Sequence, residues 1–398
     1  MTQAKNNFGK LLERGVVEIV EKQSLLAKLR SGKKLRIKHG VDPTGSELTL
    51  GHAVVYFKMR EFQKLGHKIV LVIGDFTARI GDPTDRSENR AMLPRQLIEE
   101  NAKNYLRQVG KILDMDEVEV RHNSQWHEKT SLFKFLTIAS KFSLQQLSER
   151  QMFKDRINRG QPVWIHEMVY PILQGYDSVE LKADLTIIGH DQLFNEIQGR
   201  ILQEAAGQPP QDILAVPILV GTDGVLKMSK SLNNYIGLEE EAKTMFAKIM
   251  SLPDQLMIDY FTLLTTLSRD EIRQIDEQLT KGKINPMEVK KRLASEIVSF
   301  FHSKNESLAA QAEFERVVQK GEVPSQIPVF RPGEKSLVLL EAVIATNLVG
   351  SKSQAKRLIA QGGVELDGQK VKDPKEKIVF ADGQILKVGK RGFVKIIL

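Results

Sequence analysis

Between residues 35 and 76 the sequence runs strand, glycine-containing turn, helix, strand. LRIKHGVDP (35–43) is a largely apolar run that breaks at Gly40–Pro43. GHAVVYFKMREFQKLG (51–66) carries apolar residues at helical spacing and closes on Gly66, a helix stop signal. KIVLVIGDF (68–76) is almost continuously apolar, as strands covered on both faces are. Two strands joined through one helix make a βαβ unit. That unit predicts an α/β fold built on a parallel sheet of Rossmann type.

The rest of the chain is read around that unit. Residues 1–32 read as helix, with Leu11, Leu12, Val16, Val17 and Ile19 at helical spacing and Gly32 at the end. A mostly helical insertion covers about 95–180. LTIIG (185–189) and ILAVPILV (213–220) read as further strands of the sheet, so residues 1–235 form one sheet domain. Residues 236–322 form a helical domain. VPSQIPVFRPG (323–333) carries three prolines and reads as a linker, spanning 323–335. Residues 336–398 form a small α+β unit, with two helical patterns followed by short strands broken at Asp367-Gly368 and Asp382-Gly383.

Charge and cysteine usage narrow the function classes. The formal net charge is +8. The segment 336–398 holds eleven Lys or Arg against six Asp or Glu, so most of the excess sits there and suits a polyanionic partner. There is no cysteine, which excludes disulfides, a thiolate nucleophile and cysteine-ligated metal, and fits a reducing cytoplasm. The opening MTQAKNNFGKLLERGVVEIVEK lacks the apolar core of a signal peptide, and no stretch approaches a transmembrane span. The expected location is cytoplasmic, with no membrane partner.

Two segments carry chemistry. Asp42-Pro-Thr-Gly-Ser-Glu-Leu-Thr-Leu-Gly-His52 lies between a strand and a helix. A helix start offers free N–H groups and partial positive charge to phosphate. Gly51 admits close backbone approach, and His52 sits in the first turn. Lys227-Met228-Ser229-Lys230-Ser231 follows the Asp223-Gly224 turn. Two lysines three apart, with hydroxyls between, can grip a triphosphate and stabilise charge as it develops. Each segment taken singly also fits an ordinary turn or a solvated basic loop.

Together, HxGH near the first strand and KMSKS after the last resemble the signature of class I aminoacyl-tRNA synthetases. The match is closer to the bacterial tyrosyl-tRNA synthetases. VDPTGSELTLGH resembles their DPTxxxLHxGH, and GDFTARIGDPTDRS (74–87) their GDFTxxIGDPTG. VYPILQGYDSVELKAD (169–184) and GHDQLFNEIQGR (189–200) resemble YPxLQxYDxxxLxxD and GGxDQxxN. SKSQAKRLIAQGGVELDGQKV (351–371) resembles the S4 RNA-binding domain that ends these enzymes.

The resemblance implies a two-step reaction. Tyrosine carboxylate attacks the α-phosphate of ATP, and the tyrosyl group then passes to the 3′ end of tRNA(Tyr). ATP is a substrate accompanied by Mg²⁺, with no tightly bound cofactor and no protein metal site. By the same resemblance His52, Thr49, Lys227, Lys230 and Arg86 serve catalysis. Gly51, Gly189, Asp191, Met228 and Ser229 meet ATP, with Asp191 accepting from its ribose. Tyr170, Gln174 and Asp82 hold the ammonium of tyrosine, Gln192 sits near its carboxylate, and Asp177 accepts from its phenol. Thr77 lies beside them, while Asp42 and Gly40 line the join to the adenylate. Lys352, Lys356 and Arg357, on a helix capped by Ser351, meet tRNA. A homodimer with the inserted segment at its interface is also implied.

Three positions depart from the family pattern. Thr49 replaces the first HxGH histidine and cannot be cationic, which predicts a slower enzyme that Thr49→His would accelerate. His190 replaces a small hydroxyl residue; it is either a packing variant, the favoured reading, or a new polar contact near the nucleotide. Lys38 stands where some relatives place a tyrosine that reads the phenol; pointing inward, it would pair with Asp177. Three competing readings use the same residues. A tryptophan enzyme is opposed by Asp177 and the S4 tail, and a catalytically dead RNA-binding paralogue by the intact His52, Asp177, Asp191, Lys227 and Lys230. A nucleotidyltransferase outside translation would explain neither KMSKS nor the S4 tail.

Overall fold

The computed structural model describes residues 2–83, 93–323, 327–389 and 392–398, with side chains from Phe8 onward. Contacts divide the chain into two compact units, Met1–Ser303 and Lys304–Leu398. The helical stretch 236–322 straddles that division.

The first unit holds a six-stranded sheet. Its strands are β1 (Glu18–Val20), β2 (Arg36–Val41), β3 (Lys68–Ile73), β4 (Glu119–His122), β5 (Leu185–Gly189) and β6 (Asp212–Val216), in spatial order β1-β6-β5-β2-β3-β4. All neighbours pair in parallel except β1, which runs antiparallel along β6. The βαβ reading is correct. α1 (Leu50–Gln63) connects β2 to β3, and Ile69–Ile73 of β3 are all buried, as the continuous apolar run required.

Elsewhere the local reading needs correction. Residues 1–32 are not one helix but Thr2–Glu13, then β1, then Lys22–Arg30, because Glu18–Val20 pair with Ile213–Ala215. The insertion contains β4, which pairs with β3. The run 213–220 stops being strand at Val216, since Pro217 cannot donate to a ladder. Beyond it Val220 only bridges Lys227.

Helices α2 (Ile165–Leu181) and α3 (Leu193–Ala205) cross backbone to backbone. A Cβ on Gly175 would come within 2.8 Å of the Gly199 nitrogen. This close crossing brings the side chains of Gln174, Asp177, Asn195 and Glu196 under one end of the sheet.

The second unit has its own core, including Phe330, Leu339, Val343, Ile359, Phe380 and Ile396. Ser351 caps the helix α4 (Lys352–Ala360) by accepting from the Gln354 N–H at 3.2 Å. The Asp367-Gly368 turn has positive φ at both residues and joins strands Val364–Leu366 and Gln369–Lys370, the hairpin its Asp-Gly signals. Part of the expected linker is sheet: Val329–Phe330 pair in parallel with Lys395–Ile396.

Candidate active site

A cleft of about 500 Å³ opens at the carboxyl ends of the parallel strands. It lies where connections leave β2 and β5 in opposite directions, the position at which open α/β sheets bind ligands. Gly40 and Asp42 enter from the end of β2, Gly74 and Thr77 from beyond β3, and Gly189, Asp191 and Gln192 from beyond β5. Tyr170, Gln174 and Asp177 come from α2. Thr49, Gly51 and His52 come from the start of α1, and Lys227, Met228, Ser229 and Lys230 from the loop after β6. The cleft thus gathers nearly every residue singled out in the sheet domain. Arg86 lies outside the described residues.

Asp42 anchors the centre. Thr77 Oγ1 donates to Oδ1 at 2.7 Å and Tyr170 OH to Oδ2 at 2.9 Å. Gly74 makes room for this, since a Cβ there would fall 2.0 Å from Asp42 Oδ1. Burial pushes the Asp42 carboxyl up to about 7; the two donors pull it down, while Asp82 and Asp177 add to the rise.

At one end, the Trp126 indole N–H and His127 Nε2 each donate to Asp177 Oδ1 at 2.9 Å, and Asn123 Nδ2 lies 3.4 Å from Oδ2. Trp126, His127 and Asn123 carry no signal in the sequence. All three stand near the end of β4, a strand whose local pattern reads as helix.

Lys38 is a correction. It does not reach Asp177 and does not line the cleft. Its ammonium is buried 2.9 Å from Glu196 Oε2 and 2.7 Å from Ser178 Oγ. Lys38 shares its face of β2 with Gly40, two residues further on, and so faces α2 and α3, where Ser178 and Glu196 meet it. His190 also differs. It does not pack but meets Glu18 of β1 at 3.1 Å, with both side chains nearly half exposed.

At the other end, Thr49 and His52 form an N-terminal cap. The Thr49 N–H donates to His52 Nδ1 at 3.2 Å, and Thr49 Oγ1 lies 2.9 Å from the same nitrogen. A backbone N–H can only donate, so Nδ1 is unprotonated and the ring proton sits on Nε2. The ring faces the open cleft. Surrounding protein, together with the charges of Lys230, His39 and Lys227, lowers its pKa to about 4. Thr49 itself is 1% exposed.

The basic loop is organised by Asn234, another residue without a sequence signal. Its Nδ2 donates to Asp223 Oδ2 at 2.7 Å and to the Lys227 carbonyl at 3.0 Å, and its Oδ1 accepts from the Ser229 N–H at 2.8 Å. Gly221 has no side chain because a Cβ would lie 2.4 Å from that amide. Lys230 Nζ reaches the Glu47 carbonyl at 2.7 Å, so the loop meets the turn after β2.

Comparison with known proteins decides the family. A family profile described as tRNA synthetases class I (W and Y) matches residues 30–319, and one for the S4 domain matches 340–382. A protein of Dehalococcoides mccartyi named tyrosine–tRNA ligase is 45% identical over all 398 residues, covering 100% of both chains. The chain belongs to the tyrosine–tRNA ligase family. The Aquifex aeolicus member is 44% identical over 98% of each chain. Among solved structures, the tyrosyl-tRNA synthetase of Archaeoglobus fulgidus complexed with L-tyrosine covers 77% of this chain and 99% of its own, with TM-score 0.61 at 19% identity. The tryptophanyl-tRNA synthetase of Plasmodium falciparum, covering 78% of this chain and 86% of its own, gives 0.59 at 15% identity. At those identities the synthetase fold is what is shared.

In the second unit, Lys352, Lys356 and Arg357 are exposed on α4, while Ala355 and Ile359 of the same helix are buried in the core.

Proposed function

We propose that this family member performs tyrosine–tRNA ligation: tyrosine and ATP give tyrosyl-adenylate and pyrophosphate, and the tyrosyl group then passes to the 3′ end of tRNA(Tyr). The observation that carries the reading is the polarity of the cleft. His52, Lys227 and Lys230 stand at one end, and the carboxylate of Asp177 at the other.

Each end suits its part of the substrate pair. The Nε2–H of a neutral His52 and the two lysines hold the phosphates and follow pyrophosphate as it leaves, with Arg86 assisting. Gly51, Met228 and Ser229 border the triphosphate. Gly189 gives close backbone approach, and Asp191 accepts from the ribose. Tyr170, Gln174 and Asp82 hold the ammonium, with Thr77 beside them. Gln192 sits near the carboxylate, and Gly40 and Asp42 border the new bond. Asp177 accepts from the phenol. Neither step needs a protein nucleophile; the rate comes from positioning and charge stabilisation. Mg²⁺ accompanies the ATP phosphates in this reading, as it commonly does where substrate phosphates supply its ligands.

Lys352, Lys356 and Arg357 are the residues of the S4 domain that meet tRNA phosphates. Leu132, 73% exposed, borders an apolar hollow of about 400 Å³, and Phe133 and Ile165 of the same insertion are each 81% exposed, which supports a homodimer through the insertion. No described helix is long and apolar enough to cross a membrane, and the proposed site of action is the cytoplasm. Residues 1–235, 236–322, 323–335 and 336–398 are proposed as sheet domain, helical domain, linker and S4 domain. Charging of unfractionated bacterial tRNA with labelled tyrosine or tryptophan tests the reading. Incorporation of tyrosine alone is expected; incorporation of tryptophan would refute it.

A further inference from the structure

A buried ion pair lies beneath the cleft floor. Lys38 Nζ sits 2.9 Å from Glu196 Oε2, and each side chain is 1% exposed. Taking two charges out of water is costly, and an apolar pair of similar volume commonly serves stability as well. What the pair supplies here is direction.

Both oxygens of Glu196 are engaged. Oε2 also accepts from Gln211 Nε2 at 2.9 Å, and Oε1 accepts from Gln174 Nε2 at 2.9 Å. A carboxylate only accepts, so it dictates which way round the Gln174 amide lies. Gln174 Oε1 is thereby turned to the opposite side, where Asn195 Nδ2 donates to it at 2.8 Å. The same Nδ2 donates to Gln192 Oε1 at 3.0 Å, and Gln192 Nε2 donates to Asp82 Oδ2 at 2.9 Å. One directed chain therefore runs from Lys38 to Asp82. Gln174, Gln192, Asp82 and Glu196 line the cleft; Lys38 and Asn195 do not, and Asn195 is fully buried. The Gly175–Gly199 crossing leaves the two helices no slack to compensate.

We propose that Lys38 is a positioning residue for the amino group of tyrosine. It acts through Glu196, which sets the Gln174 amide with its oxygen available to an ammonium and, through Asn195, aligns Gln192 and Asp82. A position that some relatives use at the phenol end thus serves the opposite end in this chain. The inference rests on the proposed placement of the ammonium against Tyr170, Gln174 and Asp82.

Calorimetric titration of the full chain with L-tyrosine and with 3-(4-hydroxyphenyl)propionate, which lacks the amino group, tests it. Wild type is expected to bind tyrosine about tenfold or more tighter than the desamino acid, which brings no ammonium to donate to Gln174 and Asp82. Lys38→Met should weaken tyrosine about tenfold, leave the desamino acid within about twofold, and raise KM for tyrosine more than it lowers the adenylation kcat. Lys38→Met/Glu196→Gln strands no unpaired charge, and the same selective loss is expected of it. Equal weakening of both ligands would mark a merely structural role and overturn the proposal, as would unchanged tyrosine affinity. Wild type binding both ligands alike would overturn it together with the ammonium placement.

Discussion

His127 Nε2 lies 2.9 Å from Asp177 Oδ1, the same oxygen that takes the Trp126 indole N–H at 2.9 Å. Two rigid rings therefore fix the carboxylate and leave its remaining acceptor capacity for a phenol. Removing that acceptor strands the substrate hydroxyl, at a cost of about 1–3 kcal/mol. Asp177→Ala should lower kcat/KM for tyrosine by roughly 5- to 150-fold and leave phenylalanine much less affected. His127→Gln should have a smaller effect in the same direction, because Trp126 still holds Asp177. Steady-state pyrophosphate exchange with both amino acids measures the ratio; an unchanged ratio in Asp177→Ala would exclude the phenol role.

The cap at Thr49 changes what that position is expected to do. With Thr49 1% exposed and its hydroxyl set against His52 Nδ1, the side chain is placed to orient the ring. Thr49→His should therefore bring no gain in adenylation rate, since a larger ring must displace the cap. Thr49→Ala should slow the step by about tenfold, the loss of one hydrogen bond, and Thr49→Ser should restore most of it. A faster Thr49→His enzyme in single-turnover adenylate formation would show that the missing histidine is a handicap after all.

Asn234 ties Asp223, Lys227 and Ser229 together through one buried amide. Asn234→Ala frees the loop that carries both lysines. KM for ATP and for pyrophosphate should rise by about tenfold or more, with tyrosine affinity measured by calorimetry unchanged. Loss of tyrosine binding in that variant would mean the amide supports the whole cleft instead.

Asp42 supplies a pH dependence. Burial holds its pKa up at about 7. A substrate ammonium nearby favours the carboxylate, so binding releases protons and tyrosine affinity should rise between about pH 6 and 8. The effect on stability has the opposite sign. A folded pKa above the unfolded value of about 3.9 favours the native state at low pH, and that advantage is lost as pH rises through about 7. Asp42→Asn should therefore gain in Tm relative to wild type as pH goes from about 5 to 7. Calorimetry in buffers of different ionisation enthalpy checks the first effect and thermal melts the second.

The second unit should affect tRNA alone. Lys356→Ala/Arg357→Ala should weaken charging and reduce the salt slope of tRNA binding by about 1 for each phosphate no longer neutralised. Pyrophosphate exchange should stay at the wild-type rate. Equal loss in both assays would argue against the division of labour.

The parts of this structure that could be read in the sequence are those with local signals. The βαβ unit announced itself through three apolar periods and two glycine stops, and Ser351 and Asp367-Gly368 through turn and cap chemistry. What escaped depends on pairing at a distance. β1 is three residues long between two helices, and only β6 makes it a strand. Val329–Phe330 look like linker because prolines flank them, yet an edge strand tolerates proline outside its ladder. The site was legible where family motifs run, as with His52, Asp177 and Lys230. It was not legible where one side chain chooses among several partners: nothing local tells Lys38 to prefer Glu196, 158 residues on, over Asp177. Asn234 looked like one more polar residue in a loop.

Amino-acid-dependent ATP–pyrophosphate exchange tests the central claim most directly, run with tyrosine, phenylalanine, tryptophan and no amino acid in parallel. The cleft as described predicts exchange with tyrosine and little or none with the others. Exchange driven equally well by phenylalanine or tryptophan would contradict the phenol reading at Asp177. No exchange with any of them, from folded protein that still binds tRNA, would contradict the account as a whole.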